Sequence, residues 1–227
     1  MSEWEIYKRQ AAEAALEEVR SGMLLGLGTG STAYYVTLGL AERLRQGLLN
    51  GIKVVPTSEA TARLAQAHGL PLAELPPEGV DLSIDGADEI APDLSLIKGL
   101  GGALLREKIV EAHSRRAVVV ADASKLVEVL GRGVLPLEVA PFGYRATLRR
   151  LASFGEPTLR HTPGGEPFRS DGGNWVVDLK TGPISDPWAL EAALRRIPGI
   201  FEVGLFLGIA QRAYVAGPGG LRVLERP

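Results

Sequence analysis

MLLGLGTGSTAYYVTLGLAERL, residues 23–44, decides the fold. MLLGLG (23–28) is a short apolar run suited to a buried strand, TGST is a glycine turn, and the stretch that follows has helix-forming composition. Strand, glycine turn and helix in immediate succession form one step of a βαβ unit. The same plan recurs on either side. Residues 3–20 predict a helix ended by Ser21-Gly22. KVVPT (53–57) reads as a strand, and SEATARLAQAHG as a helix stopped by Gly69. VDLSID (80–85) is a strand and DLSLIK (93–98) a further one; GGALLREKIVEAHS (101–114) is a helix and AVVVAD (117–122) a strand. Strands alternating with helices predict an α/β fold, an open, mostly parallel, Rossmann-like sheet with helices on both faces.

After about residue 130 the rhythm changes. PLEVA (136–140) reads as a strand, FGYRATLRRLASFG (142–155) as a helix, EPTLRHT (156–162) and GNWVVDLK (173–180) as strands. DPWALEAALRRIPG (186–199) is a helix with Asp186 as N-cap and Pro187 at its first position, and IFEVGLFL (200–207) closes with a strand. The order β-α-β-β-α-β is that of a ferredoxin-like split βαβ unit. The tail RAYVAGPGGLRVLE (212–225) reads as a hairpin able to return to the first sheet. The expected organisation is a catalytic α/β domain of residues 1–130 and 207–227, with a small α+β domain, 131–206, inserted near its end.

Composition narrows the function. The 227 residues are 45% hydrophobic and 23% charged, those of an ordinary globular chain. The formal net charge is −2, so no global field recruits nucleic acid or a membrane, and an anionic ligand needs a local site. Cysteine is absent, which excludes disulfides, thiolate metal sites and a cysteine nucleophile. His68, His113 and His161 form no metal-spaced pair. No apolar run approaches a membrane span, and residues 3–20 are too charged for a signal-peptide core, so a cytoplasmic protein is expected. Arginine outnumbers lysine 19 to 6, with two Asn and four Gln, a composition that suggests a heat-adapted or GC-rich source.

Four strand-end segments carry polar groups. In GLGTGST (26–32) the glycines let backbone N–H groups approach an anion, and Thr29, Ser31 and Thr32 add hydroxyls; a tight turn with Ser31 or Thr32 as N-cap is the plainer use. No lysine precedes the Ser-Thr pair, which excludes a Walker loop. The next strand ends in Pro56-Thr57-Ser58 rather than an acid for a ribose hydroxyl, which disfavours a dinucleotide site. DGADE (85–89) puts three carboxylates within five residues, for a ligand, a divalent cation or a solvated turn. KGLGGALLREK (98–108) repeats the strand–glycine turn–helix plan, with Lys98 at the strand end and Glu107 roughly two turns into a helix taken to start near Gly101. ADASK (121–125) ends another strand with Asp122 and Lys125. Carboxylates, lysines and anion cradles on one sheet edge suit proton transfer on a small phosphorylated substrate, as in aldose–ketose isomerisation.

GLGTGSTA, SIDGADEI, KGLGGALLREKIV and VADASKLV, in this order and spacing, closely resemble the type A ribose-5-phosphate isomerase family, and the resemblance covers nearly the whole chain. It implies interconversion of ribose 5-phosphate and ribulose 5-phosphate through a cis-enediolate, without metal or other cofactor. It further implies a homodimer or homotetramer with a sugar phosphate as its ligand, and neither nucleic acid nor membrane as a partner. By resemblance, Glu107 is the general base, Asp85 and Asp88 bind sugar hydroxyls and assist ring opening, and Lys98 stabilises the developing oxyanion. Thr29, Gly30, Ser31 and Thr32 resemble the substrate loop, Gly86 and Ala87 lie between the two aspartates, and Lys8 and Lys125 are supporting cations. Gly99, Leu100 and Gly101 complete the substrate-binding set. Here the family has three glycines; Leu100 takes the second place, where a left-handed backbone would strain it. A sugar-phosphate-sensing regulator would carry a helix-turn-helix and a basic face, and the chain has neither.

Overall fold

Strand β1 (Leu24–Leu27) is the hub of a six-stranded sheet in the computed structural model, which describes residues 2–227. It pairs in parallel with β2 (Lys53–Pro56) on one side and β3 (Leu82–Asp85) on the other. β3 pairs with β6 (Ala117–Asp122) and β6 with β12 (Arg212–Gly217), both in parallel; β13 (Gly220–Glu225) closes the edge as an antiparallel hairpin with β12. The order is β13-β12-β6-β3-β1-β2. β3 and β6 are buried along their whole length, as strands covered on both faces must be.

Alternation along each strand sorts the two faces. Leu25, Leu27, Val54, Leu82, Ile84, Val118 and Val120 share one core with α1 (Glu3–Leu16) and α2 (Ser31–Arg45). On the opposite face Val55 packs with Val110 of α4 (Leu104–Ala112) and with Val80, which lies ahead of β3 and outside its alternation. α3 (Glu59–Ala67) follows β2. α1 starts with a capping box: Ser2 N–H donates to Glu5 at 2.7 Å and Glu5 N–H to the Ser2 hydroxyl at 3.3 Å. No helix of the described residues is long and apolar enough to cross a membrane.

Contacts divide the chain into two compact units. The first runs to Ala87 and resumes over Arg106–Lys125 and Gly208–Pro227; the second is Asp88–Leu105 with Leu126–Leu207. In the second, β7 (Leu135–Val139), α5 (Tyr144–Leu151), β8 (Glu156–Leu159), β9 (Trp175–Lys180), α6 (Pro187–Arg195) and β10 (Ile200–Val203) form the expected β-α-β-β-α-β succession, with sheet order β10-β7-β9-β8, all antiparallel. Asp186 caps α6, accepting from Ala189 N–H at 2.9 Å.

Two sequence expectations are corrected here. DLSLIK does not extend the parallel sheet. Its Leu96–Ile97, β5, pairs antiparallel with β4 (Glu89–Ile90) and β11 (Leu205–Phe206) in a separate three-stranded sheet. A tight turn does this: Ala91 N–H donates to Ser95 O at 3.0 Å, and Leu94 takes a left-handed φ of 61°. IFEVGLFL is two strands rather than one. They part at Gly204, where a Cβ would lie 2.4 Å from the Lys98 carbonyl oxygen, and its N–H donates to Pro136 O at 2.8 Å. Contacts group residues 88–105 and 126–130 with the segment 131–206, because Ile97 and Leu205 pack into one core with Leu137, Val177 and Val203.

Candidate active site

In the first unit Thr29, Asp85 and Lys125 lie at or just past the carboxyl ends of parallel strands β1, β3 and β6, whereas Lys8 and Glu107 lie on helices. A Cβ on Gly28 would lie 2.0 Å from Asp85 Oδ1, so only glycine lets the loop pass that carboxylate. Asp85, 2% exposed at the end of β3, accepts from Thr29 N–H at 3.0 Å and from its neighbour Gly86 N–H at 2.6 Å. The Thr29 hydroxyl sits in a cluster missed by sequence reasoning, 2.8 Å from those of Thr57 and Ser58 and 3.0 Å from that of Thr61. Thr61 also donates to Gly28 O at 3.0 Å, while Ser58 caps α3 by accepting from Thr61 N–H at 3.0 Å. The only hint in the sequence was the Thr57-Ser58 pair at a strand end.

Gly30, rather than Ser31 or Thr32, is the N-cap of α2, with φ 116° and ψ −177°. Ser31, exposed, and Thr32, buried, occupy the first turn, where N–H groups lack intrahelical acceptors and the helix dipole favours an anion. Asp122 accepts from Ser124 N–H at 3.0 Å, shaping the 3₁₀ turn Ala123–Lys125 after β6 and leaving Lys125 half-buried. Lys8 is half-buried on α1.

Glu107 lies in the first turn of α4, one turn earlier in its helix than expected. The helix starts at Leu104 because Gly99 and Gly102, at φ 112° and 78°, hold the preceding residues in a turn. Glu107 is 4% exposed, at a helix end whose dipole favours a carboxylate. Lys108 and Glu111 are buried beside it in sequence, which a reading of this helix as an exposed, charged one misses. Arg106 donates to Glu59 on α3 at 2.9 Å and holds that carboxyl below its ordinary range.

In the second unit Asp88 accepts from Leu100 N–H at 2.9 Å, while its own N–H donates to Ile97 O at 2.9 Å. Lys98 is 2% exposed; its N–H donates to Gly204 O at 2.9 Å and its Nζ lies 4.9 Å from the Phe206 ring centroid. The strain expected at Leu100 does not arise. Among the described residues Leu94 is the one non-glycine at positive φ, and Gly99 and Gly102 take the left-handed positions of this loop. Leu100 and Gly101 are exposed. Arg160, which sequence reasoning missed, donates through Nη1 to the carbonyl oxygens of Gly99 and Leu100, both at 3.0 Å.

The carboxylates of DGADE take separate backbone donors. Asp85 accepts from Thr29 and Gly86, Asp88 from Leu100, and Glu89 from Gly131 at 2.7 Å and Gly133 at 2.6 Å. Glu89 is therefore a buried brace within the second unit. Among the described residues no three His, Asp or Glu side chains are grouped to hold a metal ion.

Comparison with known proteins bears on what this arrangement serves. Residues 53–220 match the family model of ribose 5-phosphate isomerase A (phosphoriboisomerase A). The ribose-5-phosphate isomerase A of Roseiflexus castenholzii is 54% identical over 225 residues, 98% of this chain and 96% of its own. That of Gloeobacter violaceus is 52% identical over 223 residues, 97% and 96% of the two chains. A solved D-ribose-5-phosphate isomerase in complex with phospho-erythronic acid superposes with a TM-score of 0.96 at 39% identity, covering 100% of both chains. The ribose 5-phosphate isomerase of Methanocaldococcus jannaschii gives 0.93 at 37% identity, covering 97% and 99%. Matches of this length and identity show that the chain is an enzyme of the ribose 5-phosphate isomerase A family.

Proposed function

We propose that the chain interconverts D-ribose 5-phosphate and D-ribulose 5-phosphate through a cis-enediolate, with Glu107 as the general base. The observation that carries this reading is that the family's motif segments bury three ionisable side chains almost completely: Asp85 and Lys98 at 2% exposure and Glu107 at 4%. Burying charge is costly, and a site that must move a proton and meet a developing anion is where that cost is repaid.

Asp85 and Asp88 bind sugar hydroxyls and assist ring opening, in which the anomeric hydroxyl loses its proton and the ring oxygen gains one. In the open aldehyde, Glu107 takes the proton from C2. The C–H electron pair becomes the C1–C2 double bond, and the carbonyl electrons move onto O1. Lys98 and the backbone N–H of Gly101 stabilise that oxyanion, while the Leu100 N–H holds Asp88. Glu107 returns its proton to C1 while the proton of the C2 hydroxyl passes to O1, so that C2 becomes the carbonyl and C1 the hydroxymethyl carbon of the ketose. No electrons leave the substrate, so no redox cofactor enters. The phosphate is held at the start of α2 by Gly30, Ser31 and Thr32, with Lys8 and Lys125 as nearby cations in the family pattern. The relative that holds phospho-erythronic acid supports a sugar-phosphate ligand and an anionic intermediate, because that compound is a phosphate ester ending in a carboxylate, an anion of the enediolate's sign. The resemblance supports a homodimer or homotetramer acting in the pentose phosphate pathway, and the composition supports a cytoplasmic location.

The test is a coupled assay of ribulose 5-phosphate formation, run after exhaustive chelation. Wild type is expected to keep full activity, and Glu107→Gln to lose about 10²–10⁴-fold in kcat, the range for a positioned general base. More than a tenth of the activity retained in Glu107→Gln would refute the base. Activity lost on chelation and restored by magnesium would refute the metal-free mechanism.

A further inference from the structure

Arg160 lies just past β8, far in sequence from every motif of the site, yet it is wired into the loop after Lys98. Its Nη1 donates to Gly99 O and Leu100 O at 3.0 Å each. Its Nε donates to Asp178 Oδ2 at 2.8 Å, and its Nη2 to Asp178 Oδ1, so Asp178 on β9 holds the guanidinium plane in a two-point pair. The guanidinium carbon lies 5.7 Å from the Phe168 ring centroid, and that ring packs against Gly102, where a Cβ would be 2.3 Å from it. The backbone is fixed as well: Arg160 N–H donates to Val176 O at 2.9 Å, and Phe168 N–H to Arg160 O at 2.8 Å.

Peptide planarity turns these contacts into a statement about the site. In a trans peptide, C=O and N–H point in opposite directions, and the described residues contain no cis bond. Drawing the Gly99 carbonyl toward Arg160 sends the Leu100 N–H the other way, where it meets Asp88 Oδ2 at 2.9 Å. Drawing the Leu100 carbonyl toward Arg160 sends the Gly101 N–H away from Arg160 too. A cation on both carbonyls also strengthens the two N–H groups as donors.

We propose that Arg160, clamped by Asp178, is a positioning residue that orients the 99–101 peptides so that their N–H groups face Asp88 and the developing oxyanion. The inference rests on the reading that this loop meets the substrate. Arg160 itself touches no reacting atom. Its role is specific to arginine, because two carbonyls and a carboxylate must be bonded at once by one planar fork.

Arg160→Met and Arg160→Lys are compared with wild type by steady-state kinetics on ribose 5-phosphate and by hydrogen exchange of the loop amides. Arg160→Met should lower kcat by about 10–100-fold with KM changed less than about threefold, the pattern of a misaligned transition-state donor. The amides of residues 99–102 should exchange at least about tenfold faster, with those of β9 unchanged. Arg160→Lys keeps the charge but loses the fork, and should lose at least about threefold in kcat. If Arg160→Met melts far below wild type, Arg160→Lys decides by the same measurements. A kcat loss under threefold, or unchanged loop exchange, overturns the proposal. An inactive wild type would instead overturn the isomerase reading beneath it.

Discussion

Ser31 and Lys98 differ in when each would meet charge. The phosphate carries its charge throughout the reaction, whereas the enediolate oxygen acquires charge only near the transition state. Interactions equal in both states set KM, and those made only in the transition state set kcat. Ser31→Ala is therefore expected mainly to raise KM, and Lys98→Ala mainly to lower kcat, by roughly 10²–10³-fold if it behaves as an oxyanion donor. Steady-state kinetics on both variants measures the split; the reverse pattern would mean that the two loops have exchanged roles. At this scale the motif residues were legible because glycine turns and clustered charges are local signals. What was not legible was which groups are already engaged. DGADE reads as one acidic cluster, yet Glu89 turns to Gly131 and Gly133, more than forty residues away, and the Thr29 hydroxyl is engaged by Thr57, Ser58 and Thr61. Arg160 was invisible for the same reason, since nothing near it in sequence marks its hold on Gly99 and Leu100.

Helix α4 carries Glu107, and one close approach sets its height over the sheet. A Cβ on Gly26 would lie 2.5 Å from Val110 Cγ1 and 2.9 Å from Ser83 Cβ. Gly26 has an ordinary backbone conformation, so Gly26→Ala adds only volume, and α4 must rise to accept it. Overpacking of this kind costs about 1–3 kcal/mol. A displacement near 1 Å at the base can cost about 10²-fold in rate. Gly26→Ala should thus lower both Tm and kcat, and adding Val110→Ala should recover part of each by vacating the contacted methyl. A double variant no better than Gly26→Ala in kcat would show that Val110 is not what transmits the push. Element types and order were largely readable from apolar runs and glycine stops. The start of α4 was not, because left-handed φ at Gly99 and Gly102 depends on tertiary contacts. The fate of Leu96–Ile97 was hidden too: a two-residue strand carries no periodicity, and its partner β11 lies over a hundred residues later.

Across the first unit, Glu18 joins segments distant in sequence: it accepts from Arg116, from Arg212 Nη1 at 3.0 Å and from the Tyr214 hydroxyl at 2.8 Å. Burial alone would raise this carboxyl. Hydrogen bonds from Arg116 and Tyr214 and the charges of Arg116 and Arg212 outweigh burial, so Glu18 titrates below the ordinary 4.5. A carboxyl lowered on folding contributes stability that is complete above its unfolded pKa and is lost as pH falls through the folded one. Glu18→Gln should therefore melt a few degrees lower at pH 7, at about 1–3 kcal/mol for hydrogen bonds to a charged group. Its melting temperature should also fall less steeply than wild type's below pH 4.5. Parallel Tm curves from pH 7 to pH 3 would refute the coupling. At this scale the sequence revealed two architectures and the returning hairpin, but not where contacts divide the chain, because pairings such as β5 with β11 decide that. The path of β12 has a further consequence during synthesis. β6 ends at Asp122, but its parallel neighbour begins only at Arg212. On the ribosome, the flank of β6 that will receive β12 waits for nearly ninety more residues to be translated. Until β12 has been made, that flank is an open template for strand pairing with other nascent chains. β12, distant in sequence, is the strand that seals it.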